Sequence, residues 1–277
     1  MTSDETTNDE TKLEHPEIPA TTPAASLRNY TPARVALHRT GVSLTTPEIL
    51  DFQLAHAQAR DAVHAALDPE HLAHRLRTEL PSLTTPILTL ASAAPNRVSY
   101  LRRPDLGRTL APASAALLHP SPCDIVIVLA DGLSATAVEH HAIPLLAALL
   151  PALPQNQPLG PLCIATQARV AIADHIGSLL QARLSVILIG ERPGLSSPDS
   201  LGVYLTWNPV PGRTDADRNC ISNIRTAGLD YATAATRIAF YCAEAHRLQL
   251  TGTTLKESTQ PMQLSSHHPD QREDRSS

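Results

Sequence analysis

The residues Asp124-Ile125-Val126-Ile127-Val128-Leu129-Ala130 form an almost continuous aliphatic run that stops at Asp131-Gly132. A strand with one face in solvent alternates apolar and polar residues, whereas strands of parallel sheets are covered on both faces and are apolar at nearly every position. The run is therefore predicted to be a strand of a parallel sheet that is buried on both faces.

Segments of strand and helix character alternate after this run. The further predicted strands are Pro161–Ala165, Leu184–Ile189 and Leu201–Trp207. The predicted helices are one that Ser134 caps and Pro144 interrupts, one containing Val170 to Leu180, and one over Thr233–Leu250. Parallel strands joined by helices are connected in a right-handed sense and place helices on both sides of the sheet. The fold class is predicted to be α/β, with a mostly parallel sheet and helices on both faces.

An N-terminal helical extension is predicted before the sheet. Thr46-Pro47-Glu48 combines a hydroxyl cap, a proline in the first turn and an acidic residue, which is typical of a helix start, and the periodicity continues to about Leu67. The segment beyond Pro69 is predicted to be irregular, with one short helix. The predicted organisation is a disordered acidic tail over 1–30, the helical extension over 31–110, an α/β domain over 111–250 and a disordered polar tail over 251–277.

Composition excludes several classes of function. The net charge of -5 and the absence of a basic stripe argue against a nucleic-acid binder. The four cysteines form no C-x-x-C pair, which disfavours a zinc ribbon, and reduced cytosolic thiols are expected. The acidic N-terminus lacks an apolar segment, and no run approaches the roughly 18 apolar residues of a membrane span. A cytoplasmic protein without a membrane or nucleic-acid partner is predicted.

Ligands of open α/β sheets bind beyond the carboxyl ends of the strands, which directs attention to two loops. Asp131-Gly132-Leu133-Ser134 is either a tight turn with a helix cap or an anion site, and the cap is favoured. In Gly190-Glu191-Arg192-Pro193-Gly194, Glu191 is either an acceptor for ligand amides or a solvated charge, and both interpretations stay open. The segment 215–224 is expected to be a loop pressed against another surface, with Cys220 as a small contact and not as a nucleophile.

The histidines do not indicate a metal site. His71 and His74 are three residues apart, His140 and His141 are adjacent, and neither pair has a recognisable third ligand in the sequence. Solvated side chains are the favoured interpretation, so no metal ligand is predicted.

Four blocks together resemble the small (light) subunit of ethanolamine ammonia-lyase. They are Tyr100-Leu101-Arg102-Arg103-Pro104-Asp105-Leu106-Gly107-Arg108, Asp131-Gly132-Leu133-Ser134, Ile189-Gly190-Glu191-Arg192-Pro193-Gly194-Leu195 and Asp217-Arg218-Asn219-Cys220-Ile221-Ser222-Asn223-Ile224. Four blocks in the family's order are far more specific than a lone short motif. With looser stretches, the resemblance covers roughly residues 30 to 250.

The resemblance implies an adenosylcobalamin-dependent lyase that converts ethanolamine to acetaldehyde and ammonia by a radical reaction. In this family the large subunit holds ethanolamine in a barrel, and the small subunit covers part of the cobalamin, so that the cofactor performs the difficult chemistry. Carried over by position, the family's cobalamin contacts fall on Val170, Glu191 and Cys220. None of the three is expected to be catalytic.

The implied partner is the large subunit, within a higher-order hetero-oligomer that is cytoplasmic, with enclosure in a bacterial microcompartment left open. Two other functions stay open, a non-catalytic scaffold and a nucleotide-binding α/β protein. The second is disfavoured because neither G-x-G-x-x-G nor G-x-x-x-x-G-K-[ST] occurs in the sequence.

Overall fold

The computed structural model describes residues 31, 33–35, 37–154 and 156–257. These residues belong to two compact units, which divide between His56 and Ala57. The predicted tail over 1–30, and residues 258–277 of the predicted C-terminal tail, lie outside the described residues.

The first unit contains a short hairpin and the start of a long helix. Strands β1 (Arg39–Thr40) and β2 (Ser43–Leu44) pair antiparallel. Helix α1 then covers Thr46–His64. The predicted start of the helix is confirmed, but the helix ends three residues before Leu67, its predicted end. The carboxylate of Glu48 accepts a hydrogen bond from the backbone of His38, at 3.1 Å, and so links the first turn of α1 to the hairpin.

A six-stranded sheet with the order β3-β5-β4-β6-β7-β8 forms the second unit. Its strands are β3 (Ile87–Ala91), β4 (Cys123–Ala130), β5 (Leu159–Thr166), β6 (Ala182–Gly190), β7 (Leu201–Trp207) and β8 (Arg218–Ile224). The four strands from β3 to β6 are parallel, while β7 and β8 are antiparallel additions at one edge. The predicted mostly parallel sheet is confirmed, and β4 lies between two parallel neighbours.

Two edge strands differ from the sequence expectations. Strand β3 lies in the segment predicted to be irregular, and β8 lies in the segment predicted to be a loop. Both are at sheet edges. Strand β3 is apolar but only five residues long and directly follows Pro86, whereas β8 has few apolar residues because less of an edge strand is covered. In β8, Ile221 is buried whereas Cys220 and Ser222 are exposed, so its sequence lacks the continuous apolar run of a central strand.

The helices of the second unit are mostly short. They are α2 (Pro69–Glu79), α3 (Arg97–Arg102), α4 (Pro112–Ala115), α5 (Ala135–Leu149), α6 (Ile172–Leu180) and α7 (Tyr231–Leu248). Helix α2 is the short helix that the sequence predicted after Pro69. Helix α5 continues through Pro144, so the predicted interruption is wrong. Most of α5 is buried, and its packing outweighs the backbone hydrogen bond that proline removes.

Helices cover the two faces of the sheet unequally. Alternate residues of β4 point to opposite faces: Ile125, Ile127 and Leu129 pack with helices α2, α5 and α7, whereas Val126 and Val128 pack with α6. On the α6 side, Thr206 of β7 and Arg218 of β8 are buried beside Asp174 of α6, whereas Cys220 and Ser222, farther along β8, are exposed. No helix among the described residues is both long and apolar enough to cross a membrane.

Candidate functional site

The uncovered surface of β7 and β8 carries polar side chains that point to the same side. We call Glu191, Tyr204, Cys220 and Ser222 the open face. Tyr204 on β7 is directly opposite Cys220 on β8 in the antiparallel register. Ser222 is two residues beyond Cys220 on the same face, and its hydroxyl lies 3.2 Å from the Cys220 thiol. Cys220 and Ser222 are exposed and Tyr204 is half-buried, so this surface is accessible to a ligand.

Glu191 is held in place by residues of two neighbouring strands. Its carboxylate oxygen Oε2 accepts hydrogen bonds from the hydroxyl of Ser200 and from the backbone N–H of Asn223, the latter at 3.2 Å. A Cβ atom on Gly202 would lie only 2.8 Å from Oε1, so glycine provides the space that this carboxylate occupies on β7. Glu191 is therefore a positioned acceptor and not a freely solvated charge.

The pKa of Tyr204 shows that the members of the open face interact. Burial is the main cause that raises this pKa above its usual value, and the neighbouring Cys220 and Glu191 raise it further. A tyrosine with such a raised pKa keeps its proton at neutral pH and can donate a hydrogen bond. The open face therefore combines a neutral hydroxyl, a thiol and a carboxylate acceptor.

The loops after β4 and β6 meet at two glycines. Gly132 has a positive φ of 54°, and Cβ atoms built on Gly132 or Gly190 would collide with the backbone of the opposite loop. The N–H of Leu133 donates to the carbonyl of Gly190 at 2.9 Å. Glycine is required at these positions because only it allows the backbones to approach this closely.

Asp131 acts inside the protein and does not face a ligand. Its buried carboxylate accepts backbone N–H bonds from Gln167 at 2.8 Å and Ala168 at 2.9 Å, and Arg97 lies 3.4 Å away. Burial raises the pKa of Asp131, while the two N–H donors and Arg97 oppose that shift. Ser134 caps α5, as the sequence predicted. The structural interpretation of this turn is thus confirmed, and Asp131 positions the segment that leads to Val170.

The block from Tyr100 to Arg108 supports the same segment from the other side. The buried hydroxyl of Tyr100 donates to the carbonyl of Ala168 at 3.0 Å, and the guanidinium of Arg169 lies 4.3 Å from the centre of the Tyr100 ring. A Cβ on Gly107 would lie within 3.0 Å of both side chains. Residues that the sequence marked by resemblance therefore orient the backbone that carries Val170.

Val170 is half-buried and lines a cavity of about 690 Å³ between the start of α6 and the start of β8. Arg218 lines the same cavity and lies two residues before Cys220 on β8. Its guanidinium forms a buried, two-point ion pair with Asp174 of α6, with N–O distances of 2.7 and 2.6 Å. The structure therefore groups Glu191 and Cys220 around Tyr204, with Val170 in a cavity next to the first residues of β8.

Several residues of the site escaped the sequence reasoning. Tyr204, Ser200 and Gly202 were not identified as functional, although they orient Glu191 or contribute to the open face. The signal available was the alternation within Leu201–Trp207, which places Gly202 and Tyr204 on one face of the strand. That alternation does not show which face lacks a covering helix.

The structure places beside the His140–His141 pair a third potential ligand that the sequence did not reveal. Asp199 lies 3.6 Å from Nδ1 of His140 and 3.3 Å from Nε2 of His141. In the described part of the chain, these three residues are the group whose potential metal-ligating atoms lie close to one another. Asp199 is nearly sixty residues away in the sequence, so only the folded chain reveals the cluster.

Comparison with known proteins agrees with the resemblance. The family model described as Ethanolamine ammonia-lyase light chain (EutC) matches residues 21–256. Proteins named ethanolamine ammonia-lyase small subunit are similar to this chain. That of Pseudomonas fluorescens Pf0-1 is 51% identical over 92% of this chain and 94% of the relative. That of Azotobacter vinelandii is 52% identical over 89% of this chain and 93% of the relative. The chain belongs to the ethanolamine ammonia-lyase light chain family.

Proposed function

We propose that this chain is the small subunit of an adenosylcobalamin-dependent ethanolamine ammonia-lyase, which converts ethanolamine to acetaldehyde and ammonia together with a large subunit. Family membership and the names of the relatives support the lyase assignment. The observation that carries the role of this chain is the open face, where a positioned carboxylate and an exposed thiol lie on a part of the sheet without a helical cover.

The residues of the open face fit a corrinoid. A corrin is a broad, largely apolar ring with amide side chains around its rim, so it needs an open surface with hydrogen-bond acceptors at its edge. Both donors to Glu191 reach Oε2, and among the described residues no hydrogen bond to Oε1 competes with a ligand. Oε1 is therefore suited to accept an amide N–H of the cofactor.

The three residues predicted from the resemblance take different roles in this proposal. Glu191 accepts a hydrogen bond from the cofactor, Cys220 provides a small contact, and Val170 offers apolar surface at the cavity. When bound, adenosylcobalamin supplies the organic radical that starts the reaction. The residues of this chain bind and orient the cofactor and exclude water. All three lie within 111–250, to which we assign cobalamin binding.

The open face is one-sided, so it can cover only part of a cofactor of this size. A second polypeptide is needed to enclose the remaining surface and to hold ethanolamine, which is the role we assign to the large subunit in a hetero-oligomer. The division of labour agrees with a radical reaction in which the cofactor supplies the reactive group, so we assign Glu191 and Cys220 to cofactor contact only.

Reconstitution tests the proposal directly. The purified chain is mixed with the large subunit and adenosylcobalamin, and ammonia release from ethanolamine is measured. We expect activity to require both chains and the cofactor. Equal activity and equal cobalamin retention by the large subunit alone would rule out the assignment.

A substitution at Glu191 tests the contact itself. A hydrogen bond to a charged group contributes about 1.5–3 kcal/mol, so Glu191→Ala should raise the Kd for cobalamin by roughly 10- to 100-fold. The KM for ethanolamine should change little, because the substrate contacts the other subunit. Equilibrium binding of cobalamin to the reconstituted complex gives the first value, and steady-state kinetics give the second.

Two variants control this measurement. Glu191→Gln keeps one carbonyl acceptor and should weaken cobalamin less than Glu191→Ala. Glu244→Ala removes a glutamate from α7, which packs on the opposite face of the sheet, and should leave the Kd unchanged. An unchanged Kd in Glu191→Ala would contradict the proposed contact.

A further inference from the structure

A second cluster of chemically reactive side chains lies away from the open face. His140 and His141 belong to α5, and Asp199 belongs to the loop that precedes β7. One potential ligand atom from each residue lies within 4.8 Å of the other two. Imidazole nitrogen and carboxylate oxygen are ligands that Zn²⁺ commonly takes.

Two of the three spacings between the ligand atoms are close to those of tetrahedral coordination. Zn²⁺ binds nitrogen and oxygen ligands at about 2.0–2.2 Å, which places neighbouring ligand atoms about 3.3 Å apart. The carboxylate of Asp199 lies 3.3 Å from Nε2 of His141 and 3.6 Å from Nδ1 of His140. The His140 side chain is 58% exposed, so it can rotate to shorten the remaining distance between the two imidazoles.

The second ring nitrogen of His141 has a hydrogen-bond partner. Nδ1 lies 2.8 Å from the hydroxyl of Tyr231, and a proton on Nδ1 leaves Nε2 free for a metal ion. Histidine ligands usually engage a partner through their second nitrogen in this way.

Space for an additional ligand adjoins the cluster. A cavity of about 400 Å³ is lined by His140, Asp199, Thr136 and Asp61. Three protein ligands and a water molecule in an adjoining cavity make up the four-coordinate arrangement of many zinc sites.

From this geometry we infer that His140, His141 and Asp199 form a binding site for a divalent zinc-type cation. The site joins α5 to the loop that precedes β7. Ser200, whose hydroxyl donates to Glu191, follows Asp199 directly, so a bound ion fixes the loop that orients the open face. The chain can hold this ion whether or not it binds cobalamin.

Metal titration of the full chain tests the inference. The chain is freed of metal with a chelator, titrated with Co²⁺ while visible absorption is recorded, and then titrated with Zn²⁺ in competition. His267 and His268 are replaced by alanine in every sample, because these residues could bind metal independently. We expect one equivalent of Co²⁺ with the strong absorption of tetrahedral coordination, and its displacement by Zn²⁺.

Variants of the cluster identify the ligands. Asp199→Asn and His140→Ala should each weaken Zn²⁺ binding by roughly 100-fold or more, since loss of a supporting group alone costs 10- to 100-fold. His71→Ala with His74→Ala removes an exposed histidine pair elsewhere on the chain and should not change the affinity. Circular dichroism of the metal-free proteins verifies that each variant folds.

Thermal unfolding gives a second readout. A ligand that binds only the folded state stabilises it, so Zn²⁺ should raise the Tm of the chain but not that of Asp199→Asn. Absence of saturable binding would overturn the inference. Unchanged Zn²⁺ affinity in both Asp199→Asn and His140→Ala would also overturn it. An equal loss of Zn²⁺ affinity in the control without His71 and His74 would overturn it as well.

Discussion

Glu191 shows how a single side chain depends on residues that are remote in sequence. Ser200 before β7 and Asn223 in β8 both donate to its carboxylate, and Gly202 provides the space beneath it. A carboxylate fixed in this way loses little side-chain entropy when it binds a ligand. The same residue in a solvated loop would contribute far less to affinity.

Cys220 differs from the other cysteines in its accessibility. It is exposed, whereas Cys123, Cys163 and Cys242 are buried, and burial raises the pKa of all three buried thiols. Since the thiolate is the reactive form, we expect one of the four thiols of the native chain to react quickly with an aromatic disulfide reagent. The absorbance of the released thiolate measures the stoichiometry.

The variant Cys220→Ser should abolish this fast reaction, and denaturant should make every remaining cysteine reactive. Cobalamin and the large subunit together should slow the labelling of Cys220, because the proposed complex covers the open face. Fast labelling of any thiol in the folded Cys220→Ser variant would contradict the burial of Cys123, Cys163 and Cys242.

At the scale of elements, one buried ion pair connects α6 to β8. Asp174 and Arg218 are almost inaccessible, with 1% and 2% of their side chains exposed. Arg218 also donates to Thr206 of β7 at 2.8 Å. The antiparallel edge of the sheet is thereby tied to the helix that packs on its parallel part.

Removing one partner of this pair should destabilise the protein strongly. Arg218→Ala leaves a buried carboxylate without its cation, and such a change typically costs about 3–5 kcal/mol. We expect a loss of this size in the free energy of unfolding, measured by urea denaturation. The double variant Arg218→Met with Asp174→Leu removes both charges and should recover most of the loss.

The exposed pair Glu244 and Arg247 provides a matched control. Both side chains belong to α7 and lie 2.6 Å apart at the surface. Solvent screens such pairs, so Arg247→Ala should leave the urea midpoint nearly unchanged. If Arg218→Ala behaved like Arg247→Ala, the buried pair would not be what holds β8 to α6.

At the scale of the whole molecule, buried thiols should make stability decline at alkaline pH. Burial raises the pKa of Cys163 and of Cys242 from 9.0 to about 12. Between these values the unfolded chain has lost these protons while the folded chain retains them, so the unfolded state is favoured as pH rises. The full stabilising contribution of the two protonated thiols is present below pH 9 and is lost toward pH 12.

Each thiol should contribute a slope of about 1.4 kcal/mol per pH unit in this window. The free energy of unfolding, measured by denaturant titration at a series of alkaline pH values, gives the slope. The double variant Cys163→Ala with Cys242→Ala is expected to be less stable at neutral pH but to have a shallower slope. If the free energy of unfolding fell with pH equally in the native chain and in the double variant, these thiols would not be the cause of the alkaline loss of stability.

The unequal cover of the sheet determines where a large ligand can bind. Helices α2, α5 and α7 pack on one face, while α6 on the other packs on the parallel strands and reaches the antiparallel edge through Asp174, beside Arg218 and Thr206. On the α6 side, β8 therefore stays exposed at Cys220 and Ser222. In the proposed complex, the large subunit encloses the cofactor at this surface.

The sequence predicted the centre of the fold and the family well. The run over Asp124–Ala130 and the strands Leu184–Ile189 and Leu201–Trp207 were recognisable because the pattern of each reflects its own burial. The start of α1 and the cap at Ser134 were recognisable because capping depends on adjacent residues. The four resembling blocks indicated the family, which the family model confirms.

The sequence alone determined the α/β class, the buried central strands and the positions of the glycine-containing loops, because these depend on neighbouring residues along the chain. Only the tertiary structure decided that β3 and β8 are edge strands, that Asp131 binds the backbone before Val170, and that Asp199 meets the two histidines. The physical reason is that such contacts depend on the order of strands in the sheet. That order joins groups tens of residues apart, and no local pattern encodes their partners.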